Sequence, residues 1–353
     1  LRQWKRADRD APKAYFKGLN LLLNEQPDKA IDAFIEAVQN DPDTSELHFA
    51  LGNLFRRRGE FERAIRVHEH LLQRADLPAA ERQRAQQALA QDFMKAGLFD
   101  RAEQAWRALD ATPYAAESRL ALLQLHERAR DWRAAVDDAA QLEKAGAGSF
   151  ASRIAHHWCE LALEAEARSD APATDAALAR AREAAPGAAR PWAQAGQWHA
   201  RAGRHVDALA AWNQLRQRHP VAFPLVAGEY AASAKASAQS GEALAALQAL
   251  HAQQASSDLM AAIVALEGDA MRARVHHAEQ LARQPSLAAA AAVLRDRADD
   301  DTGRALASVV EQAAAPLARY RCAACGFEAQ RYFWQCPGCM SWDSFPPRRI
   351  EEQ

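Results

Sequence analysis

Four of the chain's five cysteines fall within residues 320–342, YRCAACGFEAQRYFWQCPGCMSW, as Cys322-x2-Cys325 and Cys336-x2-Cys339 with ten residues between the pairs. A Cys-x2-Cys turn aims two sulfurs at one ion, and two such turns joined by a hairpin-sized connection complete a tetrahedral cage of four thiolates. Gly326 after the first pair and Pro337-Gly338 within the second supply the tight backbone each turn needs. The same cysteines would make two disulfides in a small secreted domain, but a long helical chain with a fifth, isolated Cys159 points to metal instead. Zinc and iron both accept four thiolates. A closed cage leaves no open position for a substrate, which favours one structural zinc ion, with iron as the alternative.

Other residues of chemical interest read as packing. His156, His157 and Cys159 sit on a helical stretch, and His156 and Cys159 share a face, but no third ligand stands near them in sequence. They are expected to be satisfied core residues and a buried thiol, and His276-His277 likewise. Trp106, Trp132, Trp192 and Trp212 fall at core positions of repeats. There is no Gly-rich phosphate loop, no His-Glu-x-x-His and no nucleophile elbow. No catalytic or cofactor-binding residue is assigned and no enzyme is expected.

The elements that position the cysteines come from a repeat. Gly18, Ala30, Phe34, Ala37 and Pro42 recur 34 residues later as Gly52, Ala64, His68, Leu71 and Asp76, with Gly59 and Phe61 at the turn between paired helices. That period is the tetratricopeptide repeat's. A third copy carries Leu89, Ala90, Phe93, Gly97, Phe99, Ala102 and Trp106, displaced by four residues around Pro78, and a fourth centres on Trp132 and Ala135 with Arg130 in place of the loop glycine. A weak fifth ends at Pro186, and the sixth is the clearest, with Trp192, Gly196, Gly203, Ala208, Trp212, Leu215 and Pro220. Looser pairs turn at Gly241 and at Gly268, and Asp299-Asp300-Asp301 with Gly303 reads as a turn before a last helix over residues 304–315, closed by Pro316. Small residues let paired helices approach, aromatic and Leu side chains fill the grooves, and stacked pairs build an all-α superhelical solenoid with a concave inner surface.

Composition leaves few other classes. With 353 residues, 25% charged and a net charge of −2, the chain has the balance of an ordinary soluble protein and no general attraction to nucleic acid. Its apolar windows, such as LAAAAAVL at 287–294, fall short of the ~20 residues a membrane helix needs. Arg2, Lys5, Arg6 and Arg9 form a basic cluster that reads as a solvated arm or as the cytoplasmic flank of a membrane helix. The chain begins at Leu1 without an initiator Met, and an upstream anchor is therefore expected.

This order of parts, a basic stretch, a run of tetratricopeptide repeats and a C-terminal motif built from Cys322, Cys325, Gly326, Phe327, Trp334, Cys336, Pro337, Cys339 and Trp342, resembles the lipopolysaccharide assembly protein B family of Gram-negative bacteria over essentially the whole chain. The resemblance implies a rubredoxin-like metal domain at the C-terminus and an N-terminal inner-membrane helix with the repeats on the cytoplasmic side. It also implies an adaptor that brings the LpxC deacetylase of lipid A synthesis to the membrane protease FtsH, with lipopolysaccharide or inner-membrane regulators as further partners; the alternatives are a rubredoxin-type electron-transfer protein and a generic tetratricopeptide module that docks short peptide termini. The expected organisation is a basic juxtamembrane arm at 1–12, the repeat solenoid at 13–316, the metal domain at 317–347 and a tail at 348–353. The resemblance carries residues over only for the metal motif. A short linker after Leu317 and an excess of aromatic surface on so small a module predict that the metal domain docks on the repeats.

Overall fold

The computed structural model describes residues 16–18, 20–21, 24, 26–40, 44–298 and 300–353. The basic arm and the opening of the first repeat at Ala14 lie outside them. The chain divides into two compact units, Leu1–Phe150 and Ala151–Gln353.

The first unit contains helices α1 Pro27–Asn40, α2 Ser45–Arg57, α3 Phe61–Gln73, α4 Ala79–Ala96, α5 Phe99–Arg107, α6 Ala115–Ala129 and α7 Trp132–Lys144. The second contains α8 Ala151–Ala167, α9 Ala171–Ala184, α10 Ala189–Arg201, α11 His205–Arg218, a 3₁₀ segment Pro220–Val226, α12 Ala227–Ala236, α13 Ser240–Gln253, α14 Ser257–Glu267, α15 Ala270–Arg283, α16 Leu287–Asp296 and α17 Asp301–Ala314. The small C-terminal cap follows, with strands β1 Tyr320–Arg321 and β2 Glu328–Ala329 and a last 3₁₀ turn, Ile350–Glu352.

One local device makes the helical pairs of this tetratricopeptide-repeat fold. The N–H groups of Glu60, Leu98, Asp131, Asp170, Arg204 and Gln239 each donate to the carbonyl five residues earlier, at 2.8–2.9 Å. The residue before each donor is left-handed: Gly59, Gly97, Arg130, Ser169, Gly203 and Ala238, with φ between 57° and 79°. This is the Schellman closure, which satisfies orphan carbonyls at a helix end and turns the chain back. Arg130 therefore does take the place of a loop glycine. The turn expected at Gly241 falls instead on Ala238, and Gly241 lies in the first turn of α13. The closure requires one left-handed residue just past the end of α12, whatever its type. The last helix also starts earlier than residue 304, at Asp301, because the Asp300 carboxylate caps it by accepting from the Gly303 N–H at 2.6 Å.

Packing in three of the helical pairs depends on contact too close for a side chain. A Cβ on Gly18 would stand 2.7 Å from the Phe34 ring, on Gly52 2.5 Å from His68 Nε2, and on Gly196 2.2 Å from Trp212 Nε1. The 34-residue recurrence thus keeps a glycine opposite a large ring. Trp106, Trp132 and Trp212 are buried core residues, while Trp192 is only partly buried against the same core as Trp212. The first unit also buries charge: Asp92 accepts from His68 Nδ1 at 2.5 Å and from Arg56 at 2.8 Å, and Asp138 accepts from His126 Nδ1 at 2.7 Å and from Arg119 at 3.1 Å. Each is a carboxylate held between a histidine and an arginine, the pairing a buried charge requires.

Candidate metal centre

The cap consists of two copies of one knuckle. In the first, the Cys322 N–H donates to the Phe327 carbonyl and the Gly326 N–H to the Cys322 carbonyl, both at 2.9 Å. In the second, the Cys336 N–H donates to the Ser341 carbonyl at 2.9 Å and the Met340 N–H to the Cys336 carbonyl at 2.8 Å. Arg321 pairs with Glu328 across the first knuckle and Gln335 bridges to Trp342 across the second. The left-handed residue is Gly326 in one (φ 78°) and Met340 in the other (φ 61°). Pro337 and Gly338 lie in the tight turn of the second knuckle as expected, and the left-handed residue follows the turn at Met340. A Cβ on Gly338 would make only ordinary contact with Phe327, at 3.4 Å.

These knuckles bring the ligand atoms of Cys322, Cys325, Cys336 and Cys339 within 4.8 Å of one another. Cys322 and Cys339 sulfurs are 3.8 Å apart, and those of Cys325 and Cys336 3.7 Å. Four sulfurs about 2.3 Å from a central zinc would be about 3.8 Å from each other, so the donor set fits a tetrahedral ion. All four cysteines are free thiols. Burial opposes the Cys322 thiolate, yet the Ser344 hydroxyl and the N–H groups of Cys325 and Ala324 hold its pKa down to about 6. The Ser341 side chain and N–H lower that of Cys339. The Phe327 N–H favours the Cys325 thiolate, but burial and the neighbouring sulfurs push it up to about 12, and burial raises Cys336. Crowded thiolates suppress one another's ionisation, and a divalent cation supplies the missing positive charge.

The cap does dock on the repeats of its own unit. Tyr320, Phe345, Tyr332 and Phe333 pack with Cys322 and Cys336 in a small core that reaches Leu225 of the 3₁₀ segment. Trp334 joins the core of the repeats, and Trp342 stacks on His156 of α8 at 4.6 Å and 14° with the Arg190 guanidinium 5.7 Å from its ring. Asp343 Oδ2 accepts from His156 Nε2 at 2.8 Å and from the Ser152 hydroxyl at 3.2 Å. Burial lowers the His156 pKa and outweighs the Asp343 carboxylate; Asp343, whose side chain is half exposed, is held low by His156 against its partial desolvation. His156 is thus a docking residue as well as a core one. His157 lies edge-on to Trp342. Cys159 is the inert buried thiol expected, its pKa pushed up to about 12 by burial. His276 and His277 are partnered by Glu267 at 3.0 Å and Asp296 at 2.6 Å.

Sequence reasoning missed the last six residues. Arg349 donates to Asp258 at 2.7 and 3.2 Å and to the Ala318 carbonyl at 2.6 Å. The Glu352 carboxylate accepts from the Ser257 N–H at 2.8 Å, at the start of α14, and that of Glu351 from Leu287 and Ala288 N–H groups at the start of α16. The chain's end therefore caps two helices, with carboxylates at positive dipole ends. No spacing rule announces contacts over 95 and 64 residues of sequence.

Comparison with known proteins agrees with this geometry. Residues 320–347 match a family model described as a rubredoxin metal binding domain. The chain is 31% identical over 346 residues to lipopolysaccharide assembly protein B of Escherichia coli K12, covering 95% of this chain and 89% of that protein. It is 28% identical over 362 residues to the protein of the same name from Haemophilus influenzae, covering 96% and 90%. A solved tetratricopeptide-repeat protein from Parabacteroides merdae overlaps 73% of the chain and 99% of its own at 12% identity and a TM-score of 0.37. So loose an overlap adds nothing to the fold read from the helices.

Proposed function

The chain belongs to the lipopolysaccharide assembly protein B family, and from that premise we propose that it is a non-enzymatic, membrane-associated adaptor that regulates lipopolysaccharide synthesis by presenting the LpxC deacetylase to the FtsH protease. The observation that carries the reading is that similarity to the E. coli relative runs through 95% of the chain, repeats and cap together. Stacked helical pairs offer extended surface for a folded client. Holding client and protease on one body raises the client's concentration at the protease without any new chemistry. The proposed ligands of the metal are Cys322, Cys325, Cys336 and Cys339, and the ion is zinc. When bound it supplies cross-linking of the two knuckles and no reaction. The chain's own residues do the rest: N–H groups within each knuckle stabilise the thiolates by hydrogen bonding, and Asp343, Trp334 and Trp342 seat the cap. Among the described residues no helix is long and apolar enough to cross a membrane. The proposed inner-membrane placement, with the repeats facing the cytoplasm, rests on the family resemblance and on the basic cluster at Arg2, Lys5, Arg6 and Arg9.

Affinity capture with the full-length, membrane-anchored protein, read by mass spectrometry, tests the adaptor. Recovery of both the deacetylase and the protease is expected; recovery of neither overturns the reading. A red, iron-loaded protein would favour instead a rubredoxin-type electron carrier.

A further inference from the structure

We propose, resting on the metal reading above, that the Asp343–Ser344 turn couples occupancy of the four-cysteine site to the seating of the cap on α8, so that metal binding and docking strengthen one another. Two adjacent residues face opposite ways. On the metal side, the Ser344 hydroxyl lies 3.3 Å from Cys322 Sγ, its carbonyl accepts from the Ala323 N–H at 2.7 Å, and its hydroxyl reaches the Ser341 carbonyl at 3.2 Å. The Asp343 N–H donates to the Trp334 carbonyl at 2.9 Å. The turn is thus tied to both knuckles, whose separation the ion fixes. On the repeat side, the Asp343 carboxylate takes the bonds from His156 and Ser152, and Trp342 stacks beside it.

Two features mark this joint. Asp343 has a φ of 50°, in the left-handed region that Asp enters more readily than most residues with a side chain. His156 is 2% exposed beneath the cap's Trp342, so a shift of Asp343 that leaves Trp342 stacked deprives a covered ring nitrogen of its partner. Its other nitrogen faces Arg190 at 3.5 Å, and Arg190 is itself buried and bonded to Glu160 at 2.5 Å. A loosened pair of knuckles moves Asp343 off α8, and an undocked Asp343 frees the turn that holds Ser344 against Cys322. Linkage makes the two effects equal: whatever factor metal adds to docking, docking adds to metal affinity.

Ser344 is a positioning residue for the site, and Asp343 and His156 act on the metal through it. Zinc competition with a chromophoric chelator on the full chain reads the coupling. Partners outside the ligand shell typically change metal affinity ~10–100-fold, so Asp343→Asn, His156→Ala and Ser344→Ala are each expected to weaken zinc about tenfold. Ser344→Thr, which keeps the hydroxyl, should restore the parental value. Asp343→Asn preserves shape and keeps the test valid if His156→Ala fails to fold. Zinc affinity within about twofold of the parent in both Asp343→Asn and Ser344→Ala overturns the inference. A parent chain that binds no zinc fails the metal reading itself, a separate outcome.

Discussion

Replacing Gly196 by Ala puts a methyl carbon 2.2, 2.4 and 2.5 Å from Nε1, Cε2 and Cδ1 of Trp212. Ordinary contacts between such atoms lie near ~3.5–4.0 Å, so the ring and α10 must separate by about an ångström or more. Nothing around Trp212 yields easily. It is fully buried, its indole N–H donates to the Ala193 carbonyl at 3.0 Å, and Tyr230 meets it edge-on at 6.4 Å. Overpacking costs roughly 1–3 kcal/mol. A strained or broken buried hydrogen bond adds about 1 kcal/mol, and the better helix propensity of Ala returns about 1 kcal/mol. The net expectation is about 2 kcal/mol of destabilisation, a fall of about 4–8 °C in the melting of a unit this size. Gly228 and Gly241 supply controls, because nothing lies within 4 Å of a Cβ at either. Their Ala variants should be neutral or gain up to ~1 kcal/mol. Thermal melts followed by circular dichroism and Trp fluorescence measure all three. Gly196→Ala melting with or above the parent would refute the close-packing account of the repeat.

Ala238→Gly relieves a left-handed backbone at φ 57° and should leave stability unchanged or raise it by up to ~1 kcal/mol in denaturant titration, whereas Gly203→Ala, at φ 74°, should cost ~1–2 kcal/mol. Removing both caps with Glu351→Ala and Glu352→Ala should cost ~1–2 kcal/mol in total and speed hydrogen exchange in the first turns of α14 and α16. The hydrogen bond to Asp138 raises the His126 pKa, against burial, above its ordinary value of about 6.5. Its contribution to stability is then full below about pH 6.5 and is lost as pH rises through the raised value, so the stability of the first unit should fall over that window and do so less in His126→Gln.

What was legible in the sequence follows from what is local. Cys322, Cys325, Cys336 and Cys339 announce a common site because each pair is set by a two-residue spacing. The repeat is visible because Gly18, Gly52 and Gly196 each face a large ring sixteen positions on, Phe34, His68 and Trp212. The turn at Ala238 was misplaced because the closure demands a backbone conformation that glycine only favours, and Ser169 and Ala238 adopt it without advertising it. Met340 likewise takes, after the second knuckle, the left-handed place that Gly326 takes after the first. The docking of the cap was foreseeable from its excess of aromatic surface, but its partners were not. His156 and Asp343 stand 187 residues apart, and their meeting depends on how the cap seats on α8, which no spacing within either segment encodes.

The most direct test of the central claim, a metal-held cap built into a repeat adaptor, is hydrogen exchange on the full chain with metal and after its removal, with metal analysis and far-ultraviolet circular dichroism on the same samples. The account predicts one zinc per chain in a colourless protein. Stripping the metal, or replacing Cys336 by Ser, should deprotect the cap together with α8 and the Pro220–Val226 segment while the helical signal barely changes, since zinc supplies on the order of 10 kcal/mol to a module of this kind and nothing directly to the repeats. Deprotection confined to residues after Pro316 would mean a cap that is merely tethered, and collapse of the whole helical signal would mean that cap and repeats are not separate modules; either result contradicts the account.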